Sequence, residues 1–151
     1  MAIGQSKLHQ LAARRRLLSE SLVWFNAFDV NLKTFMLDLI REDQLSQKGV
    51  DADNDVIGYY SLTTSFINSI KKFNTHYTLE DKGDFFRSMF IQVLSDRVFA
   101  DASSNSFREM QDQEWYNNRI LDWTNESIEK VKERLLPYYI DTVRKALLGN
   151  R

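Results

Sequence analysis

The sequence predicts an α+β fold that is mostly helical, on three observations. A stretch from about Gln5 to Gln47 lacks Gly and Pro and repeats its apolar residues at helical spacing. Residues 85–103 hold two runs of β-compatible residues around Ser95-Asp96. The segment 125–148 carries an apolar stripe between a capping threonine and a closing glycine.

The first stretch reads as a long N-terminal helix. Leu8, Leu11, Leu18, Leu22, Phe25, Leu32, Met36 and Leu39 follow a three-four repeat that Arg15 and Asp29 interrupt. Such a helix would be about 60 Å long at 1.5 Å per residue, more than a domain this small covers. It is therefore expected to break near Ser19–Ser21 or to project. The chain divides accordingly into a protruding helical arm, residues 1–21, and a single α+β domain, residues 22–151. Lys48-Gly49 is expected to end the helix, with the glycine left-handed.

The remaining elements follow in order. Residues 57–60, Ile57-Gly58-Tyr59-Tyr60, suit an extended segment and a candidate third strand beside the hairpin. A second, short helix is expected from about Leu62 to Phe73, with Leu62, Phe66, Ile70 and Phe73 on one face. In the antiparallel hairpin, strand parity sends Phe85, Arg87, Met89, Ile91 and Val93 one way. Phe86, Ser88, Phe90, Gln92 and Leu94 go the other. Both faces carry apolar groups, so the hairpin is sandwiched or one face is an interface. Phe85, Phe86, Met89 and Phe90 are the candidate partner contacts there. SSNSFREMQDQ is a polar connection with a helical turn. Thr124 is placed to cap the C-terminal helix, with Glu126 near the positive end of its dipole. Ile128, Val131, Leu135, Tyr138, Tyr139, Val143 and Leu147 line its stripe, and Pro137 is expected to bend it.

Composition narrows the function. Hydrophobic residues at 43% and aromatics at 13% exclude a disordered chain. A net charge of −1 excludes a molecule that grips nucleic acid by its overall charge. That charge is uneven: residues 49–113 hold six basic and ten acidic side chains, a net of −4, while residues 1–48 hold seven against five. There is no Cys, hence no thiolate chemistry. MAIGQSKLHQ lacks the apolar core of a signal peptide, and no apolar run nears the roughly 18 residues of a membrane span, so no membrane partner is expected.

The most suggestive chemistry is GVDADNDVIGYY, residues 49–60, where Asp51, Asp53 and Asp55 open like a calcium loop. An EF-hand needs Gly at position six and a bidentate Glu at twelve. Here those positions are Val56 and Leu62, and position eight, which should be apolar, is Gly58. The acids are better read as a turn whose side chains cap backbone groups. Asp81 and Asp84 flank Gly83 and also suit a turn. His9 and His76 stand far apart in sequence, which disfavours a His-based metal or triad site. Arg14, Arg15 and Arg16 suit a solvated face or an ion pair between subunits better than a phosphate site. No catalytic residue, cofactor or metal is expected.

Two stretches carry a resemblance. QLSQKGVDADNDVIGYYSLTT (Gln44–Thr64) and YTLEDKGDFFRSMFIQV (Tyr77–Val93) resemble small virion proteins of tailed phages infecting Bacteroidota. In the second motif Tyr77, Thr78, Leu79, Asp81, Gly83, Asp84, Phe85, Phe86 and Ser88 match the family pattern. In the first, Gln44, Leu45, Gly49, Asp51, Ile57, Tyr60 and Ser61 match, and the turn glycine is replaced by Asn54 or Asp55. Asn and Asp are the non-glycine residues that best accept a positive φ. The closing ILDWTNESIEKVKERLLPYYI is similar too, with Asp122-Trp123 replacing a family glycine.

The resemblance implies a neck, tail-completion or connector ring protein joining portal and tail. Such a subunit is non-catalytic, present in several copies around the DNA channel, located in the virion and assembled in the host bacterial cytoplasm. It would contact the portal and other neck or tail proteins, with DNA passing through unread. The mid-chain acidity would suit a channel wall that repels DNA. Two other readings stand beside it. One is an intracellular adaptor dimerising through its N-terminal helix. The other is a metal-dependent hydrolase using Asp51, Asp53, Asp81 and Asp84.

Overall fold

The computed structural model describes residues 20–80 and 83–148, without the side chains of residues 20–22, 146 and 147. Residues 1–19 of the expected arm, with His9 and Arg14–Arg16, lie outside the described residues, as does Asp81. The described part is α+β, as the sequence predicts, with helices, one antiparallel hairpin and a long C-terminal helix.

Among the described residues the long first helix is divided at Asp29, and the expected break near Ser19–Ser21 falls at their edge. Helix α1 (Glu20–Ala27) stops before Asp29, and α2 (Val30–Asp38) starts after it. Asp29 is extended (φ −68°, ψ 175°), and its carboxylate accepts the Leu32 N–H at 2.8 Å. A residue that interrupts an apolar repeat thus becomes the N-cap of a new helix. Helix α2 continues as a π-helical run, Leu39–Lys48, which buries Ile40, Gln44 and Leu45 almost completely. The Gln44 amide donates to the carbonyls of Ile120 and Asp122 at 3.2 and 3.0 Å, tying the run to the entrance of the last helix. Gly49 ends it in the left-handed region (φ 62°), as the sequence predicts.

The second short helix is shorter than expected. Helix α3 (Leu62–Ile67) is capped by Ser61, whose hydroxyl accepts the Thr64 N–H at 3.2 Å. It ends at Asn68, where the side-chain carbonyl takes the Ile70 N–H at 3.1 Å and diverts the backbone into a turn. Nor does Ile57–Tyr60 join the hairpin. Its pairing is a single antiparallel bridge between Tyr59 and His76, and the sheet among the described residues has two strands.

The hairpin starts later than residue 85. Helix α4 (Asp84–Ser88) precedes β1 (Met89–Val93), which pairs with β2 (Val98–Ala102) in the register Met89↔Ala102 to Val93↔Val98. Gly83 opens α4 at φ 75°, and Asp84 pairs with Arg87 one turn on. Strand parity therefore fails at Arg87, which it groups with Phe85 and Met89; helical spacing turns Arg87 out to solvent and keeps Phe85 and Met89 on the inner side. Both are core residues, 3% and 4% exposed, which corrects their expected role as partner contacts. Helix α5 (Asn105–Gln111) follows, capped by Ser104. Helix α6 (Asn125–Leu148) runs through Pro137 without ending. Thr124 caps it as expected, its buried hydroxyl accepting the Ser127 N–H at 3.2 Å.

Two apolar clusters hold these elements. One joins Ile40, Leu45, Ile57, Phe85, Met89, Phe107, Ile120 and Leu121, roofed by the small Ala100 and Ala102 of β2. The other joins Ala27, Phe28, Leu32 and Met36 to Val131 and Leu135 of α6. Ile91 and Trp123 pack against both, and Trp123 donates its indole N–H to the Met36 carbonyl at 2.9 Å.

Candidate interaction surface

The acidic turn is built from its own backbone. Asp51, 5% exposed, accepts the N–H groups of Asp53 and Asp55 on Oδ1 at 2.9 and 3.1 Å. Its Oδ2 takes the Asn117 amide at 3.1 Å. Asn54 supplies the positive φ (65°) of the turn, which Asn accepts more readily than most residues. Asp53 receives both arms of the Arg119 guanidinium at 3.1 Å, and these hydrogen bonds hold its carboxyl below the usual carboxylate range. Arg119 also pairs with Asp122 at 2.7 Å, and its own proton is held more tightly, chiefly by the hydrogen bonds to Asp53. Asp51 is spent on turn geometry and Asp53 on one arginine.

The two resembling stretches meet in space. The Tyr77 N–H donates to the Gly58 carbonyl at 2.8 Å, Tyr60 and Thr78 share a hydroxyl contact at 3.2 Å, and the Tyr60 and Tyr77 rings lie 4.9 Å apart. A Cβ on Gly58 would sit 2.5 Å from the Tyr77 ring, so glycine is required there by close approach. His76 closes the same seam, a ring nitrogen 2.9 Å from the Gln47 carbonyl. These residues form a base from which 61–75 projects, its ends tied by Tyr60 N–H to Thr75 C=O (2.9 Å) and Asn74 N–H to Tyr60 C=O (3.1 Å).

That projection is apolar and exposed. Leu62, Phe66, Ile67, Ile70 and Phe73 are 53%, 81%, 83%, 84% and 59% accessible. Scattered exposed hydrophobics are ordinary, but a contiguous cluster on one short excursion marks a contact surface. Sequence reasoning put four of these residues on one helix face and assigned them no role. The available signal was the short, Ser/Thr/Asn-rich segment around them, too polar and too brief to bring its own covering layer.

A second such surface lies on α6. Val131 and Leu135 face the core, whereas Leu136, Tyr139 and Ile140 are 57%, 52% and 47% accessible. Spaced i, i+3 and i+4, they form a stripe on the side away from the core. Of the expected inner stripe, Ile128 and Tyr138 are likewise exposed. On the hairpin, Phe90 is 41% exposed and remains a surface candidate, while Phe86 is half-buried against the core.

A cleft of about 350 Å³ opens between the base and α5, walled by Tyr60, Tyr77 and Trp115. The Tyr77 and Trp115 rings stand 5.4 Å apart, and the Lys71 ammonium lies 5.5 Å from the centre of the Tyr60 ring. Its acids are Asp84, paired with Arg87, and Glu109. Among the described residues no group of three or more His, Asp or Glu is arranged to hold a metal ion, and no helix is long and apolar enough to cross a membrane. Comparison with protein-family models, with curated proteins and with solved structures finds no match for the chain.

Proposed function

We propose that this chain is a non-enzymatic structural subunit of a tailed-phage particle, part of the connector between portal and tail. The observation that carries the reading is the outward display of large apolar side chains on two separate elements, the 62–73 projection and α6. Meanwhile two of the turn's three acids are committed, Asp51 to caps and Asp53 to Arg119. A surface of that kind works by contact.

The resemblance of Gln44–Thr64 and Tyr77–Val93 to neck and tail-completion proteins supplies the setting. The base those stretches build supports the reading, because it holds an apolar projection on a rigid mount. The location follows as the virion, with assembly in the cytoplasm of the host bacterium. Mass spectrometry of purified particles tests it. The chain is expected in particles that carry tails, at a stoichiometry of several copies per portal. Its absence from purified particles would overturn the proposal.

A further inference from the structure

The two apolar surfaces differ in shape and in charge, and neither is covered by other described residues. The projection is a knob. From Ser61 to His76 it carries Lys71 and Lys72 and no acidic residue. The α6 stripe runs beside Glu129, Lys132 and Glu133, which share its side of the helix at helical spacing; Lys132 pairs with Glu129 at 2.6 Å, leaving Glu133 as the excess charge. Knob against knob would set lysines against lysines, whereas knob against stripe sets them near glutamates.

The areas also suit an interface. A large apolar side chain presents about 150–250 Å², so the exposed fractions leave on the order of 600 Å² of knob uncovered. That is the upper end of the patches monomers expose, about 300–600 Å², and would form the apolar centre of an interface of about 800 Å² per partner, with a polar rim supplying the rest.

From this we infer that the knob of one copy, centred on Phe66 and Ile70, docks on the Leu136–Tyr139–Ile140 stripe of the next. This rests on the reading of the chain as a repeated structural subunit and adds which faces meet. Because the two faces are different, the contact is head-to-tail. Each subunit offers one of each, so the contact propagates and closes into a ring where the rotation allows.

The test uses paired variants of the full chain and sedimentation velocity. Wild type is expected to run larger than a monomer. Phe66→Ser/Ile70→Ser, which removes the knob, and Leu136→Glu/Ile140→Glu, which removes the stripe, should each lose self-association by at least about tenfold while keeping the wild-type circular dichroism. Mixed together, the two should form a heterodimer and nothing larger, since one intact knob meets one intact stripe. The chain has no native Cys, so Ile70→Cys and Ile140→Cys provide a second readout on proteins that keep both faces nearly whole. Their mixture should cross-link faster than either alone.

A monomeric wild type at about 100 µM, knob or stripe variants that assemble like wild type, or a mixture that stays monomeric would each overturn the inference. So would faster cross-linking of Ile70→Cys with itself. Binding of a monomeric wild type to anionic lipid vesicles, lost in the knob variant, would instead assign the knob to a membrane surface and refute the inference. Presence in purified particles without head-to-tail assembly would sink this inference and leave the proposed function intact.

Discussion

Asp51→Ala is the most informative single perturbation of the acidic turn. The carboxylate is almost fully buried and accepts two backbone N–H groups and the Asn117 amide, at 2.9, 3.1 and 3.1 Å. Hydrogen bonds to a charged acceptor contribute about 1.5–3 kcal/mol each, which sets an upper bound well above the expected effect. Residues 53–55 are exposed, so their N–H groups turn to water when the cap is lost. The Asn117 amide is less able to do so. The net cost is about 2–4 kcal/mol. Asp51→Asn keeps Oδ1 as an acceptor but opposes two amide groups at Asn117, and should cost less. Urea unfolding followed by tryptophan fluorescence measures both as a fall in midpoint at constant slope. A loss below about 0.5 kcal/mol for Asp51→Ala would refute the capping account. The same turn read as a metal site makes the opposite prediction about cations. Capping predicts a melting temperature that Ca²⁺, Mg²⁺ and EDTA leave unchanged, and a cation-dependent rise abolished by Asp51→Ala would restore the metal reading.

Other perturbations test other links. Gly49→Ala meets both a left-handed φ (62°) and the His76 ring, 2.4 Å from the new Cβ, so a loss of about 2 kcal/mol or more is expected in thermal unfolding. Adding His76→Ala should recover only part of the steric cost, because it removes the ring but leaves the His76 Cβ 2.7 Å from the new one; no recovery at all would show the ring contact to be irrelevant. Phe85→Ala should cost about 3–5 kcal/mol as a core truncation, whereas Phe90→Ser should stay within about 1 kcal/mol. Equal losses would contradict the burial of Phe85 beside the exposure of Phe90. Asp53 and Glu126 have carboxyls held low, chiefly by hydrogen bonds from Arg119 and from Lys130 respectively. Their stabilisation is present above the unfolded carboxylate pKa and lost as pH falls through the folded one. Melting temperature should therefore be flat from pH 7 to about pH 5 and fall below about pH 4, less steeply in Asp53→Asn. A fall that begins above pH 5 would point to other groups.

Much of the local structure was legible. Gly49 as a left-handed stop, Thr124 as an N-cap, Ser95-Asp96 as the hairpin turn and the acids as a capping turn all follow from chemistry that residues carry with them. Asn54 at positive φ belongs to the same class. The boundaries that depend on competition were harder. Asp29 splits a helix because its carboxylate reaches the Leu32 N–H, and Asn68 ends α3 because its side chain takes the Ile70 N–H. Over residues 85–88 strand parity and helical spacing make different assignments, and Gly83 with the Asp84–Arg87 pair favours the helix.

By itself the sequence determined the class of fold, the caps, the turns and the absence of thiol chemistry, since each is set by a residue and its near neighbours. The direction in which apolar residues face was decided only by the tertiary structure. Phe85 and Phe66 look alike in sequence, yet one is 3% exposed and the other 81%. Burial depends on what packs opposite, and Phe85 meets Phe107 at 5.5 Å across the core while the 62–73 projection has no described residue above it. Periodicity identifies a face, and only the assembled core shows whether that face is covered.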